Sequence, residues 1–171
     1  MYYMKNILMM IVFVGAAFTT MAQPGRYAGT KKGLIGTVFT DSRNIQRLSG
    51  YTAVVGSVLT QLSDPPMICV DVFKKGTTYL VFFSIEDTVS KKFTIADVME
   101  IKPVTKGWTI VSSVCRQHGS DNSFLVAWAK ESKKEYMTVL KKAWEFNTEK
   151  GWIDSVSTKG ISCLNEAFDI P

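Results

Sequence analysis

The chain has 171 residues, 46% hydrophobic and 20% charged, with 12 Gly, 5 Pro, 3 Cys, a single His and a formal net charge of +5. This is the composition of one ordinary globular domain, and it excludes a coiled coil, a collagen-like rod, a disordered tail and a disulfide-dense mini-protein. One His and three Cys also fall short of most zinc sites, which want four well-spaced ligands or three plus water.

The opening reads as an address. Lys5 precedes an apolar stretch from Ile7 to Phe18, and Thr20 and Ala22 stand three and one residues before a plausible cut at Gln23. Charge, apolar core and small residues in that order make residues 1–22 a secretory signal peptide. A retained anchor is the rival, but the apolar core is well below the roughly 20 residues of a spanning helix. The expected organisation is therefore leader 1–22, flexible lead-in 23–33 and one β-rich domain over 34–171. The protein is expected to be exported, periplasmic or extracellular, with no stable membrane span after cleavage.

Gly33 to Arg47 is ambiguous: Leu34 to Phe39 can form a strand, and Asp41 to Arg47 reads as a turn or helical turn. Thr52 to Leu62 is rich in Val and Thr and reads as a strand with a bulge at Gly56, ended by Asp64-Pro65-Pro66. Met67 to Phe73 and Thr77 to Ser84 form a hairpin through Lys74-Lys75-Gly76. Phe93, Ile95, Met99 and Ile101 alternate with polar or small neighbours, with Asp97 on the apolar side, until Pro103. Trp108 to Val114 and Phe124 to Ala129 are strands around a polar loop, Arg116 to Ser123, and Trp152 to Val156 and Gly160 to Leu164 close the chain.

Ser132 to Phe146 carries two patterns. Tyr136, Val139, Leu140, Ala143 and Trp144 have helical spacing, with Ser132 and Glu135 as a capping box. Tyr136, Thr138, Leu140, Trp144 and Phe146 also alternate, interrupted by Lys142, and a turn leads from Asn147 into Trp152. The need of every neighbour for a pairing partner favours the strand. The predicted fold is mainly β, an antiparallel sandwich or barrel-like domain, with α+β and a helix at 132–146 as the alternative.

From Phe93 to Glu166 the chain resembles small exported bacterial proteins of unknown function. The resemblance rests on Asp97-Val98-Met99-Glu100-Ile101, on Cys115-Arg116-Gln117, on Lys142-Ala143-Trp144 and on Gly160-Ile161-Ser162-Cys163-Leu164-Asn165-Glu166. It implies export and a shared fold, and no chemistry.

In an oxidising compartment paired cysteines are structural. Cys115 ends a strand and Cys163 lies near the C-terminus, so these two are expected to form the disulfide, while Cys69 is a small buried side chain in an apolar run. A Cys115/His118 nucleophile and base with Asp121 as orienter is the sharp alternative, but residues three apart at a strand end point to opposite sides. His118 is expected in an exposed loop. Two oxygen ligands, Asp121 and Asn122, are too few for calcium.

Asp71, Glu86, Asp87, Asp97 and Glu100 supply carboxylates for a small secreted hydrolase only if two of them converge at a defined separation. Trp108, Trp128, Trp144, Trp152 and Tyr79 give the chain an aromatic load that fills a core or stacks on a partner. Trp152, Asp97 and His118 are the candidate binding-surface residues. Five scattered Lys-Lys pairs read as solvated turns and blunted edges, and they do not form a nucleic-acid footprint. The expected function is a non-enzymatic envelope or secreted protein that binds a protein or glycan through a loop or sheet edge. No catalytic residue, metal or cofactor is expected.

Overall fold

A computed structural model describes residues 33–60 and 66–168. The leader, most of the lead-in and the Asp64-Pro65 break lie outside the described residues. All pairing is antiparallel, and among the described residues there is no α-helix. The strands are β1 (Val38–Phe39), β2 (Thr52–Val58), β3 (Ile68–Lys75), β4 (Thr78–Glu86), β5 (Phe93–Ile101), β6 (Trp108–Ser112), β7 (Cys115–Gln117), β8 (Ser120–Asp121), β9 (Leu125–Lys130), β10 (Tyr136–Met137), β11 (Leu140–Asn147), β12 (Trp152–Val156) and β13 (Ile161–Leu164). They form a first sheet in the order β1-β5-β4-β3-β2, a second in the order β12-β11-β9-β6 and a third in the order β10-β13-β7-β8.

The sheets stack in layers, and the apolar periodicity of each strand dictates how. In β4 every residue from Tyr79 to Ser84 is buried. Its Tyr79, Val81 and Phe83 meet Val126, Trp128, Phe146 and Ile153 of the second sheet, while Leu80 and Phe82 face the other way. A strand covered on both faces reads as an unbroken apolar run, as this one does. The outer face is sealed by Leu34, Ile45 and Leu48, carried on the ambiguous N-terminal segment. That segment has only the two-residue β1 and two 3-10 turns, Ser42–Asn44 and Gln46–Leu48.

β9 has the same two-sided role in the second sheet. Val126 and Trp128 point toward the first sheet; Leu125, Ala127 and Ala129 point toward the third. The third-sheet side is built from small residues, including Ala143, and the Cys115–Cys163 disulfide lies in that interface. Small side chains let the two layers approach closely enough for a short sheet to pack.

Ser132 to Phe146 is β10, a link and β11, so the strand pattern prevails over the helical one. Ser132 Oγ accepts Lys134 N–H at 2.9 Å, a local turn where the capping box was expected. A register shift between Leu140 and Lys142 against β9 accounts for the interrupted alternation. Lys141 is the extra residue, and its Nζ lies 4.0 Å from the centroid of the Trp128 ring.

Three details differ from the sequence reading. The bulge in β2 falls between Ala53 and Val55, not at Gly56. The polar loop after Cys115 is the β7–β8 hairpin, whose turn residues His118 and Gly119 both have positive φ, 51° and 84°; two consecutive left-handed residues suit the right-handed twist of a tight hairpin. Cys69 is only half-buried in β3.

Candidate functional site

The free edges of the sheets decide where a partner could be held. β1, β8 and β10 are two residues long, too short to template another strand. At the β6 edge Ile110, Val111 and Ser112 are buried. β12 carries Asp154. β2 differs from all of these. It has seven residues, Thr-Ala-Val-Val-Gly-Ser-Val, with no charge and no proline, and among the described residues it pairs only with β3. Val54 is 50% exposed and Val58 is 47% exposed. Of the devices that normally prevent strand addition, this edge carries only the bulge at Val54, with no charge and no proline in the strand.

The β2 edge borders a groove of about 520 Å³ that runs between the first and second sheets. Val54 and Val55 form one wall and Thr109 to Ser112 of β6 the other. Met137 and Leu164 also line it, and among the described residues its charged lining is Glu131 and Glu166. Ser112 Oγ is buried there with no protein partner. One end is fastened: Ser113 Oγ donates to Ser57 Oγ at 3.0 Å, and Ser123 Oγ donates to the Leu59 carbonyl at 3.3 Å. The other end is open around Val54.

Asn165 shapes the acidic rim. Its Nδ2 donates to the carbonyls of Ser132 and Lys134, and its backbone N–H donates to that of Glu135 at 2.7 Å. The side chain thereby ties the 132–135 turn to the end of β13 and fixes the neighbouring Glu166. In the sequence Asn165 stands out only as part of a pattern, because its partners lie about thirty residues away.

The three candidate surface residues are placed apart. Asp97 is 2% exposed and lies between the first two sheets. The register shift between Phe83 and Ser84 makes Ala96 an extra residue in β5, which turns Asp97 inward. Its Oδ1 accepts the Val98 N–H and its Oδ2 accepts the Ile153 N–H, at 2.8 and 2.6 Å. Trp152 is half-buried next to Ile153, its indole N–H donating to Asp154 and Lys150 lying over its ring. His118 is exposed at the β7–β8 turn in the third sheet, packed over Gly160, where a Cβ would meet its Nδ1 at 2.5 Å. Trp128 and Tyr79 are core residues, and Trp108 and Trp144 pack against the same core.

The other groups considered for chemistry are engaged structurally. Cys115 and Cys163 face each other in β7 and β13 and form the disulfide, so Cys115 offers no nucleophile to His118. Arg116 pairs with Asp121 at 2.7 Å, which pushes the guanidinium pKa up, and stacks on Tyr136. Glu86 lies 3.7 Å from Lys91, Glu100 pairs with Lys102, and Asp87 accepts the N–H groups of Val89 and Ser90. Of the carboxylates named in the sequence, only Asp71 shares a cavity with another acidic residue among the described residues, Asp41, and that Asp41 is forked onto Arg43. Among the described residues no group of three or more His, Cys, Asp or Glu side chains could hold a metal ion, and no helix is long and apolar enough to cross a membrane.

No family model, curated protein or solved structure matches this chain.

Proposed function

We propose that this chain is an exported, non-catalytic binding protein that takes up an extended segment of a protein partner along β2. The single observation behind this reading is the uncharged seven-residue edge with exposed Val54 and Val58. An added strand gains main-chain hydrogen bonds from such an edge and specificity from pockets for its alternate side chains. Here the adjoining groove offers an apolar wall and an acidic rim at Glu131 and Glu166. The partner segment is therefore extended, apolar on one face and basic at one position. Export is supported by the leader-like N-terminus and by the disulfide, which persists in oxidising compartments.

Selection from a random peptide library displayed on phage tests this. Enriched sequences should alternate apolar residues and carry Lys or Arg, and they should lose binding to Val54→Lys while still binding a Val89→Lys control. Enrichment of acidic sequences, or equal binding by both variants, refutes the assignment.

A further inference from the structure

A second concavity lies on the outer face of the first sheet, away from the groove. Its floor is two successive rungs on the same face of the sheet. Val58, Cys69 and Ser84 are successive register partners across β2, β3 and β4, and Gly56 stands opposite Asp71 on the next rung of that face. The turn at Asp41 to Arg43 and the rings of Phe39 and Phe93 complete a cavity of about 360 Å³. This is within the usual range of small-molecule sites, about 300–1,000 Å³.

Its chemistry is selective. Ser84 is fully buried, lines the cavity and has no hydrogen-bond partner for its Oγ among the described residues. A buried hydroxyl without a partner is uncommon and points to a missing one. Asp71 Oδ1 accepts Ser42 Oγ at 2.9 Å, and no other described residue bonds its second oxygen. Gly56 is what leaves that carboxylate open, since a Cβ there would come within 3.0 Å of Oδ1. Arg43 offers little to an anion, because its guanidinium is forked onto Asp41 at 2.7 and 3.0 Å. Phe39 and Phe93 stack at 5.9 Å and present an apolar wall.

Together these features accept hydroxyl hydrogens, repel anions and offer an aromatic surface to C–H groups. We infer that the cavity binds a neutral sugar unit, whose hydroxyls bond Asp71 and Ser84 and whose apolar face lies against Phe93. The site goes beyond strand uptake: it shares Val58 with the β2 edge, but Val54 and Val55, which line the groove, do not line it.

Titration of the isotope-labelled protein with cellobiose and N,N′-diacetylchitobiose, followed by NMR, tests the assignment. Saturable shifts are expected at the amides of Asp71, Ser84 and Phe93. Asp71→Asn should weaken binding by about tenfold or more through loss of a charge-assisted hydrogen bond. Gly56→Ala should weaken it by crowding the same carboxylate, and Val54→Lys should leave it unchanged. Ser84→Ala should weaken it without lowering the melting temperature, because the hydroxyl it removes bonds nothing in the free protein. Absence of shifts at millimolar sugar, shifts confined to other surfaces, or saturation by acetate or phosphate in place of sugar overturns the inference.

Discussion

The carboxylate of Asp97 accepts the backbone N–H of Ile153 at 2.6 Å across 56 positions of the chain. One side chain on β5 thereby fastens the β12 edge of the second sheet to the first, inside the core that both sheets share. A buried carboxylate is tolerated only when its oxygens are bonded, and both are here. Asp97→Ala removes that acceptor and should cost about 2–3 kcal/mol. Asp97→Asn, which keeps a carbonyl oxygen, should cost less. Urea unfolding of the two variants checks the order; equal and small losses would mean that the bridge contributes little.

The Cys115–Cys163 disulfide joins facing residues of β7 and β13 and closes a loop of 48 positions. A loop of that length is worth about 4 kcal/mol in the chain-entropy model. The third sheet has only short strands, so it should depend on this link most. Cys163→Ser should lower the melting temperature by several degrees and release the protection of the β7 and β13 amides first. Uniform loss of protection across all three sheets would contradict that localisation.

Cys69 is the remaining thiol, and the unreduced folded protein should titrate a single one. Burial, with the nearby charges of Asp71 and Glu86, pushes its pKa up to about 11. Reactivity follows the thiolate, so iodoacetamide at pH 8 should label it about a hundredfold more slowly than an ordinary cysteine with a pKa near 8.5. Labelling at the ordinary rate would place Cys69 in a more open setting.

Burial also raises the Asp71 pKa above its model-compound value of 3.8, against the opposing hydrogen bond from Ser42. A carboxylate whose folded pKa is raised costs stability while it is ionised, at pH above that folded value. The cost fades as pH falls through the folded pKa and is gone below the unfolded one. Asp71→Asn should therefore melt higher than the parent at pH 7, and the difference should shrink as pH approaches about 4. A difference that is constant or grows on acidification would contradict the assigned cause.

The sandwich was legible because β4, β5 and β9 carry their burial pattern in the residues themselves. Where two periods overlapped, between Ser132 and Phe146, pairing with β9 and β12 decided, which no local rule weighs. The disulfide was legible from compartment and position, since Cys115 follows the Trp108–Val114 run and Cys163 lies near the C-terminus while Cys69 sits within an apolar run; in the fold Cys115 opens β7 and Cys163 lies within β13. The outer cavity was not, because Ser42 and Asp71 are 29 residues apart and Ser84 looks like any strand serine. Asp97 stood out as a charge on an apolar face, yet its partner is a backbone N–H that leaves no trace in side-chain pattern. The β2 edge was hidden for the opposite reason. Its residues read as a strand, but only the sheet order shows that no described strand pairs with its outer side.

Amide hydrogen exchange along β2 tests the central claim most directly, first on the free protein and then with a library-selected peptide bound. In the free protein the outward-facing amides of Thr52 to Val58 should exchange rapidly while those of β3 and β4 stay protected. The peptide should slow the outward β2 amides in an alternating pattern, as strand addition requires. Full protection of β2 in the free protein, or peptide-induced protection confined to other strands, would contradict the account.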